Sequence, residues 1–211
     1  MNKKEYNRIK FISWEFLILA VTIWIGSLLT GTSENSNLDQ YSALIADNFP
    51  DDETSAKLSD FLDFVSKNKT RVNKQYVNRG LVYLSGVLGA MIKNHYSENA
   101  AMLNLKENLL KTNAKILNED SMYAENLRKS LILSSKIISK IQSIEFPDLN
   151  EAAKELENAA MEVGSNESFD VIKYRTADYF EKSSEIFIAM VIIKARRNNE
   201  VKERFYEIKS T

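Results

Sequence analysis

The chain has 211 residues, and its 28 lysines and arginines nearly balance its 29 aspartates and glutamates, which leaves a formal net charge of −1 at pH 7. This near-neutral balance lacks the basic excess typical of nucleic-acid binding, and the absence of cysteine excludes disulfides, lipid-modified cysteine and thiol catalysis. With only six glycines and two prolines, the composition favours helices over an all-β or loop-rich fold.

The first thirty residues predict a membrane anchor. A short basic head precedes an apolar stretch from Phe11 to Leu29, in which Glu15 is the only charged residue. As a helix this stretch is about 28 Å long, close to the hydrocarbon thickness of a bilayer. The anchor is expected to include Phe11, Trp14, Glu15, Leu19, Trp24 and Leu29.

The charges on either side of this stretch predict its orientation. Basic residues come before it, and only acidic charges follow it until Lys57, so the positive-inside tendency places the N-terminus in the cytoplasm. The predicted division is a cytoplasmic tail (1–10), a transmembrane helix (11–30), a linker with a short helix (31–50) and an extracytoplasmic bundle (51–211). A composition typical of AT-rich bacterial genomes suggests the bacterial inner membrane.

Two other interpretations of the N-terminus stay open. A cleaved signal peptide shares the basic head and apolar core, and small residues follow at 31–33, although the apolar segment exceeds the usual length and no A-x-A-like site is present. The run from Phe11 to Ala20, with Glu15 as its fifth residue, resembles the start of a type IV pilin, but Lys10 stands where a pilin leader has glycine. A simple anchor explains Glu15 without cleavage or pilin-type processing, because this residue lies near the cytoplasmic end of the segment and its side chain can reach the headgroups.

Apolar residues recur at helical spacing along the rest of the chain. Asp52 or Thr54, Ser97, Ser121 and Asp148 (the last in a capping box with Glu151) are the expected starts of successive helices, and a last, long helix runs from Phe169 to about Ile208. Together they predict an all-α fold, a mostly antiparallel bundle of about five helices. Onsets near 72, 97 and 121 are evenly spaced, but no side-chain pattern repeats at that interval, which argues against a solenoid.

Two strongly apolar stretches, Leu81 to Ile92 and Ile186 to Ile193, are too short to cross a bilayer. We therefore expect them to form the innermost layer of the bundle. Gly86 and Ala90 share one helix face, where a second helix could approach closely.

The sequence predicts no catalytic or metal site and no cofactor. His95 is the only histidine and follows a predicted helix, where a cation suits the helix dipole. One histidine cannot supply a carboxylate di-metal bundle, and no phosphate-binding glycine loop or nucleophile motif is present. The glutamates between 151 and 185 fall where solvent-facing positions are expected.

The basic residues near the C-terminus are the candidate partner surface. They are Lys194, Arg196, Arg197, Lys202 and Arg204. Anionic headgroups, other envelope proteins or a second copy of the chain are the expected partners. The sequence as a whole therefore predicts a non-catalytic interaction or scaffold subunit of a membrane complex, with an extracytoplasmic sensor or ligand-binding module as the alternative.

Overall fold

The computed structural model describes residues 42–68, 72–118 and 122–209, with side chains described as far as residue 199. These ranges contain seven α-helices and no strand, so the fold is all-α. Six of the helices begin at or after residue 52, in the region where the sequence predicts a bundle of about five. The helices are α1 (42–48), α2 (Asp52–Lys67), α3 (Lys74–His95), α4 (Ala100–Asn118), α5 (Tyr123–Glu145), α6 (Asn150–Glu162) and α7 (Phe169–Lys209).

Three helical hairpins, α2–α3, α4–α5 and α6–α7, make up the bundle. Loops of four to six residues join consecutive helices from α2 onward, so sequence neighbours run antiparallel. Helices α3, α5 and α7 run in one direction and contact one another, while α2, α4 and α6 each pack against two of them. Helix α2 lies against α3 and α7, α4 against α3 and α5, and α6 against α5 and α7.

The core lies where the apolar periodicity predicts it. In α2, Leu58 and Phe61 are fully buried, and the ring of Phe61 meets that of Phe187 edge-on, with 5.8 Å between centroids. The two apolar stretches expected to be innermost are buried over most of their length, and the helices that carry them, α3 and α7, are in contact. Burial of apolar area on this scale is the main source of stability in such a bundle.

Three predicted helix starts are wrong in detail. The side chain of Asn99, not Ser97, accepts the N–H of Met102 (3.1 Å), because a turn at Tyr96 delays the helix by two residues. No capping box forms at Asp148, because the chain makes a 3-10 turn over Pro147–Leu149 and α6 begins after it without a side-chain cap. At α2 the cap is Asp51 and not Asp52 or Thr54, because the Asp51 side chain accepts the N–H of Thr54 (2.7 Å).

The predicted close approach at Gly86 and Ala90 is also wrong in position. A β-carbon at Gly86 would meet only the flexible Lys57 side chain, whereas one at Gly80 would lie 2.2 Å from the ring of Phe180. Helices α3 and α7 therefore come closest at Gly80. Near the end of α5, Ile144 is 55% exposed although its spacing continues the apolar stripe of that helix, and Phe146 is buried instead.

An aromatic residue directly follows the last residue of each of α1, α3 and α5. Phe49, Tyr96 and Phe146 each donate their backbone N–H to the carbonyl four residues earlier, at 2.8, 3.0 and 2.8 Å. The same tripeptide, Phe-Pro-Asp, follows α1 and α5, and the three aromatic residues recur at intervals of roughly 50 residues. The repeating unit is thus a helical hairpin. Its length of roughly 50 residues is about twice the interval between the predicted helix starts near 72, 97 and 121.

Candidate functional site

Several polar side chains converge at one end of the bundle, which we call the Phe49 end. Helices α1, α3 and α5 finish there, α2 begins there and α7 passes through. Phe49, Tyr96 and Phe146 surround a cavity of about 10 Å³, which His95, Glu145 and Lys194 also line. That volume is at the lower limit for a single water molecule, so no organic ligand fits inside.

Asp51 is the most connected carboxylate at the Phe49 end. One oxygen accepts the backbone N–H of Thr54 (2.7 Å) and the side-chain amide of Asn94 (2.6 Å). The other lies 2.9 Å from Nε2 of His95. Burial by itself raises the pKa of the Asp51 carboxyl, but the hydrogen bonds from Thr54 and Asn94 and the charge of His95 bring that pKa below its usual value.

His95 joins two helices at this point. It is the last residue of α3, which extends one residue beyond the predicted helix end, and the ring of His95 pairs with Asp51 at the start of α2. Its ring also lies edge-on to Phe49, with 6.2 Å between centroids. No hydroxyl group in the described part of the chain is hydrogen-bonded to this imidazole, so the pair has the geometry of a helix-to-helix link and lacks the nucleophile of a hydrolytic site.

Tyr96 ties the end of α3 to the end of α5. Its hydroxyl donates a short hydrogen bond to Oε1 of Glu145. Burial, this hydrogen bond and the negative charge of Glu145 all raise the pKa of the Tyr96 phenol. The phenol therefore stays protonated and acts as a donor across the neutral pH range.

Only part of the predicted partner surface contacts the bundle at the Phe49 end among the described residues. Lys194 is half-buried, with its Nζ 4.3 Å from the centre of the Phe49 ring. Arg196 and Arg197 are both exposed, but Arg197 donates to the carbonyl of Glu145 (2.6 Å) and lies over the Phe146 ring. The side chains of Lys202 and Arg204 lie outside the described residues. The structure thus places two of these cations against the bundle, where each covers an aromatic ring.

The six residues of the predicted anchor, Phe11, Trp14, Glu15, Leu19, Trp24 and Leu29, also lie outside the described residues. From residue 42 onward, no described helix combines the length and the apolar character that crossing a bilayer requires. The same part of the chain contains no group of three or more histidine, aspartate or glutamate side chains placed to hold a metal ion.

A second feature is an open groove on the outer face of α5, between α4 and α6, with a volume of about 590 Å³. We call it the α5 groove. It is lined by Ala101, Asn104, Leu105 and Asn108 of α4, Lys136, Ser139 and Lys140 of α5, and Glu157 of α6. Within it, Ser139 donates to Glu157 (2.6 Å) and Asn108 donates to Asn104 (2.7 Å).

The sequence interpretation did not single out this groove. Its signal in the sequence is the charge pattern of α5, which carries four basic side chains and no acidic one between residues 126 and 144. That pattern alone does not reveal the groove, because the flanking walls come from residues roughly 20 to 40 positions away in the chain.

No protein-family model, no curated protein and no solved structure matches this chain. A proposal for its function therefore rests on the Phe49 end, on the α5 groove and on the apolar segment at residues 11–29.

Proposed function

We propose that this chain is a single-pass, membrane-anchored interaction or scaffold subunit of a bacterial cell-envelope complex, with its bundle outside the cytoplasm. The apolar segment at 11–29 would supply the anchor, and the bundle the contacts. The anchor confines the chain to two dimensions, which raises its effective concentration near membrane partners.

The observation that carries this proposal is the position at which α1 joins the bundle. Asn198 of α7 donates to Asn48 of α1 (2.9 Å), so the end of α1 and the later part of α7 meet at the Phe49 end. Only twelve residues, 30–41, separate the apolar segment from α1. Fully extended, they span about 40 Å, so a membrane-inserted 11–29 would keep the start of α1 within that distance of the bilayer.

The chemistry at the Phe49 end supports a non-catalytic role. Its hydrogen bonds connect the ends of α1, α2, α3 and α5 with α7, and its cavity is too small for a substrate. The chain's single histidine is engaged with Asp51. Because these hydrogen bonds hold the helix ends together, the Phe49 end suits a rigid protein that binds its partners through its outer surface.

A second candidate is the extracytoplasmic sensor or ligand-binding module, and the α5 groove favours it. At about 590 Å³ the groove falls within the 300–1,000 Å³ typical of small-molecule sites. It is, however, an open trough along helices and not an enclosed pocket, a shape that fits a macromolecular partner better.

The test is native mass spectrometry on the full-length chain, released gently from its native membrane. Stoichiometric protein companions, or a defined homo-oligomer, are the expected result. A monomer that carries one small molecule would overturn the subunit proposal in favour of the sensor.

An alkaline wash of the same membranes tests the anchor. The full-length chain is expected to stay in the membrane pellet, and a matched chain lacking residues 1–30 to leave it. Release of the full-length chain would contradict the anchor.

A further inference from the structure

The α5 groove is built from pairs of residues one helical turn apart. Such pairs are Ala101 and Leu105, Asn104 and Asn108, and Lys136 and Lys140. Residues at i and i+4 lie about 5–6 Å apart along a helix, so the walls of the groove repeat at the spacing of another helix's side chains. An α-helix laid into the groove would therefore meet a matching contact at each turn.

The basic side chains of α5 have no ion-pair partner among the described residues. These side chains are Arg128, Lys129, Lys136 and Lys140, and the last three are exposed to solvent. On the neighbouring α4, by contrast, Lys111 pairs with Glu107 at 2.7 Å. Two of the four α5 residues, Lys136 and Lys140, line the groove, which thus presents two positive charges without an ion-pair partner among the described residues.

The wall of the groove that α6 forms carries an acidic side chain. Glu157 is held in place by the hydrogen bond from Ser139, and it is the one acidic side chain that lines the groove. An occupant whose carboxylates faced α6 would be repelled, whereas one whose carboxylates faced Lys136 and Lys140 would be attracted. The two walls together select the rotation of a bound helix as well as its charge.

We infer that the α5 groove binds an amphipathic helix of a partner protein that carries carboxylates one turn apart, which pair with Lys136 and Lys140. Small apolar residues of that helix pack on Ala101 and Leu105. Its polar edge hydrogen-bonds with Asn104 and Asn108. This assignment rests on the proposed interaction function and names the surface and the chemistry of the partner.

The experiment places a photo-crosslinking amino acid at Asn104 in the full-length chain, in its native membrane. The matched control places it at Val82 of α3, which is 52% exposed and lies outside the groove. The expected result is an adduct with one protein from position 104 and none from position 82. The crosslinked peptide is expected to belong to a helix with acidic residues at i and i+4.

Charge reversal tests the ion pairs. The double variant Lys136→Glu/Lys140→Glu is expected to lower the adduct yield at least about tenfold, because it sets like charges against each other. The control Lys57→Glu/Arg79→Glu makes the same change in net charge on α2 and α3 and should leave the yield unchanged. Lysines in place of the partner's carboxylates should restore the yield with the first variant.

Several outcomes would overturn the assignment. They are no adduct at position 104, an equal adduct at position 82, an adduct with lipid or a second copy of this chain, and an equal loss in the Lys57/Arg79 variant. Circular dichroism of the Lys136/Lys140 variant should show an unchanged melting temperature, because both side chains are exposed and unpaired. If native mass spectrometry still shows a companion that this variant retains, the interaction function stands and the groove is the wrong surface.

Discussion

Gly80 is the residue at which the packing of α3 on α7 allows no side chain. The Phe180 ring opposite it is fully buried and lies edge-on to Phe61 and Tyr76, at 6.4 and 6.0 Å between centroids. The ring therefore has little room to move away from an added methyl group, and interiors packed at this density transmit such strain.

We expect Gly80→Ala to lower the free energy of unfolding by about 1–3 kcal/mol, the usual cost of overpacking. Gly89→Ala is the matched control in the same helix, because a β-carbon there meets nothing within 4 Å. It should raise stability by about 0.5–1 kcal/mol through helix propensity alone. Urea denaturation of the two variants measures both effects, and equal shifts would contradict the close approach at Gly80.

Asp51 should make stability depend on pH in the acid range. Because its pKa is lowered in the folded state from a usual value of 3.8, its contribution is fully present above that value. The contribution is lost as pH falls through the lowered folded pKa. The wild type should therefore have a higher free energy of unfolding than Asp51→Asn at pH 7, and this difference should shrink at about pH 3. Urea denaturation at the two pH values measures it.

Two Asp51 variants separate charge from capping. Asparagine keeps the side-chain acceptor for the N–H of Thr54 but removes the charge, whereas alanine removes both. At pH 7 we expect Asp51→Ala to cost about 1 kcal/mol more than Asp51→Asn, the usual value of an N-cap. If both variants lost the same stability at both pH values, neither role would hold.

At the scale of helices, a small buried polar cluster fixes how three of them meet. Ser130 of α5 donates to the amide oxygen of Asn113 in α4, and the amide nitrogen of Asn113 lies 3.5 Å from the carbonyl of Leu81 in α3. Both polar side chains are buried. A buried hydrogen bond of this kind specifies register, since a slip of either helix would leave polar atoms unpaired.

Removing the Ser130 hydroxyl should therefore be costly. We expect Ser130→Ala to destabilise the chain by about 1–3 kcal/mol, because the oxygen of Asn113 then has no donor. Ser143→Ala gains the same helix propensity in the same helix, but its hydroxyl is exposed, so its effect should stay within about 0.5 kcal/mol. Thermal melts of the two variants give the comparison, and indistinguishable melting temperatures would show that the cluster is unimportant.

The helices were predictable from the sequence because their apolar period is strong. Leu58 and Phe61 of α2, or Leu127 and Leu131 of α5, are buried as their spacing requires. The helix ends were less predictable, because Ser97 and Asn99 are both good caps and only the turn at Tyr96 decides between them. The hairpin repeat was missed because its most visible mark in the sequence is the recurring aromatic residue, with Phe-Pro-Asp at two of the three positions.

At the scale of the whole molecule, the candidate surfaces depend on which helices become neighbours. The basic face of α5 is visible in the sequence, but its groove exists only because α4 and α6 flank α5. Likewise, Lys194 and Arg197 belong to a basic run in the sequence, yet Phe49 and Glu145, which they contact, lie far away along the chain. Side-chain spacing within one helix carries no information about such pairs.

The contacts of α7 at the Phe49 end predict where the chain can be shortened without loss of stability. Lys194, Arg197 and Asn198 all contact residues from other helices or their caps. A chain that ends after Asn199 keeps these three contacts, so its melting temperature should equal that of the full chain in the same detergent. A chain that ends after Ile193 loses two cation–π contacts and two hydrogen bonds, which should cost about 1–3 kcal/mol.

The chain that ends after Asn199 also separates fold from partner binding, because it lacks Lys202 and Arg204 but keeps the Phe49 end. If these two cations bind a partner, native mass spectrometry should show that companion lost from a chain whose thermal melt is unchanged. If the companion is retained, the predicted basic surface is not needed for it, and the α5 groove becomes the surface to test. A lowered melting temperature in this chain would instead mean that residues 200–211 help to hold the bundle together, so α7 would act there as part of the fold.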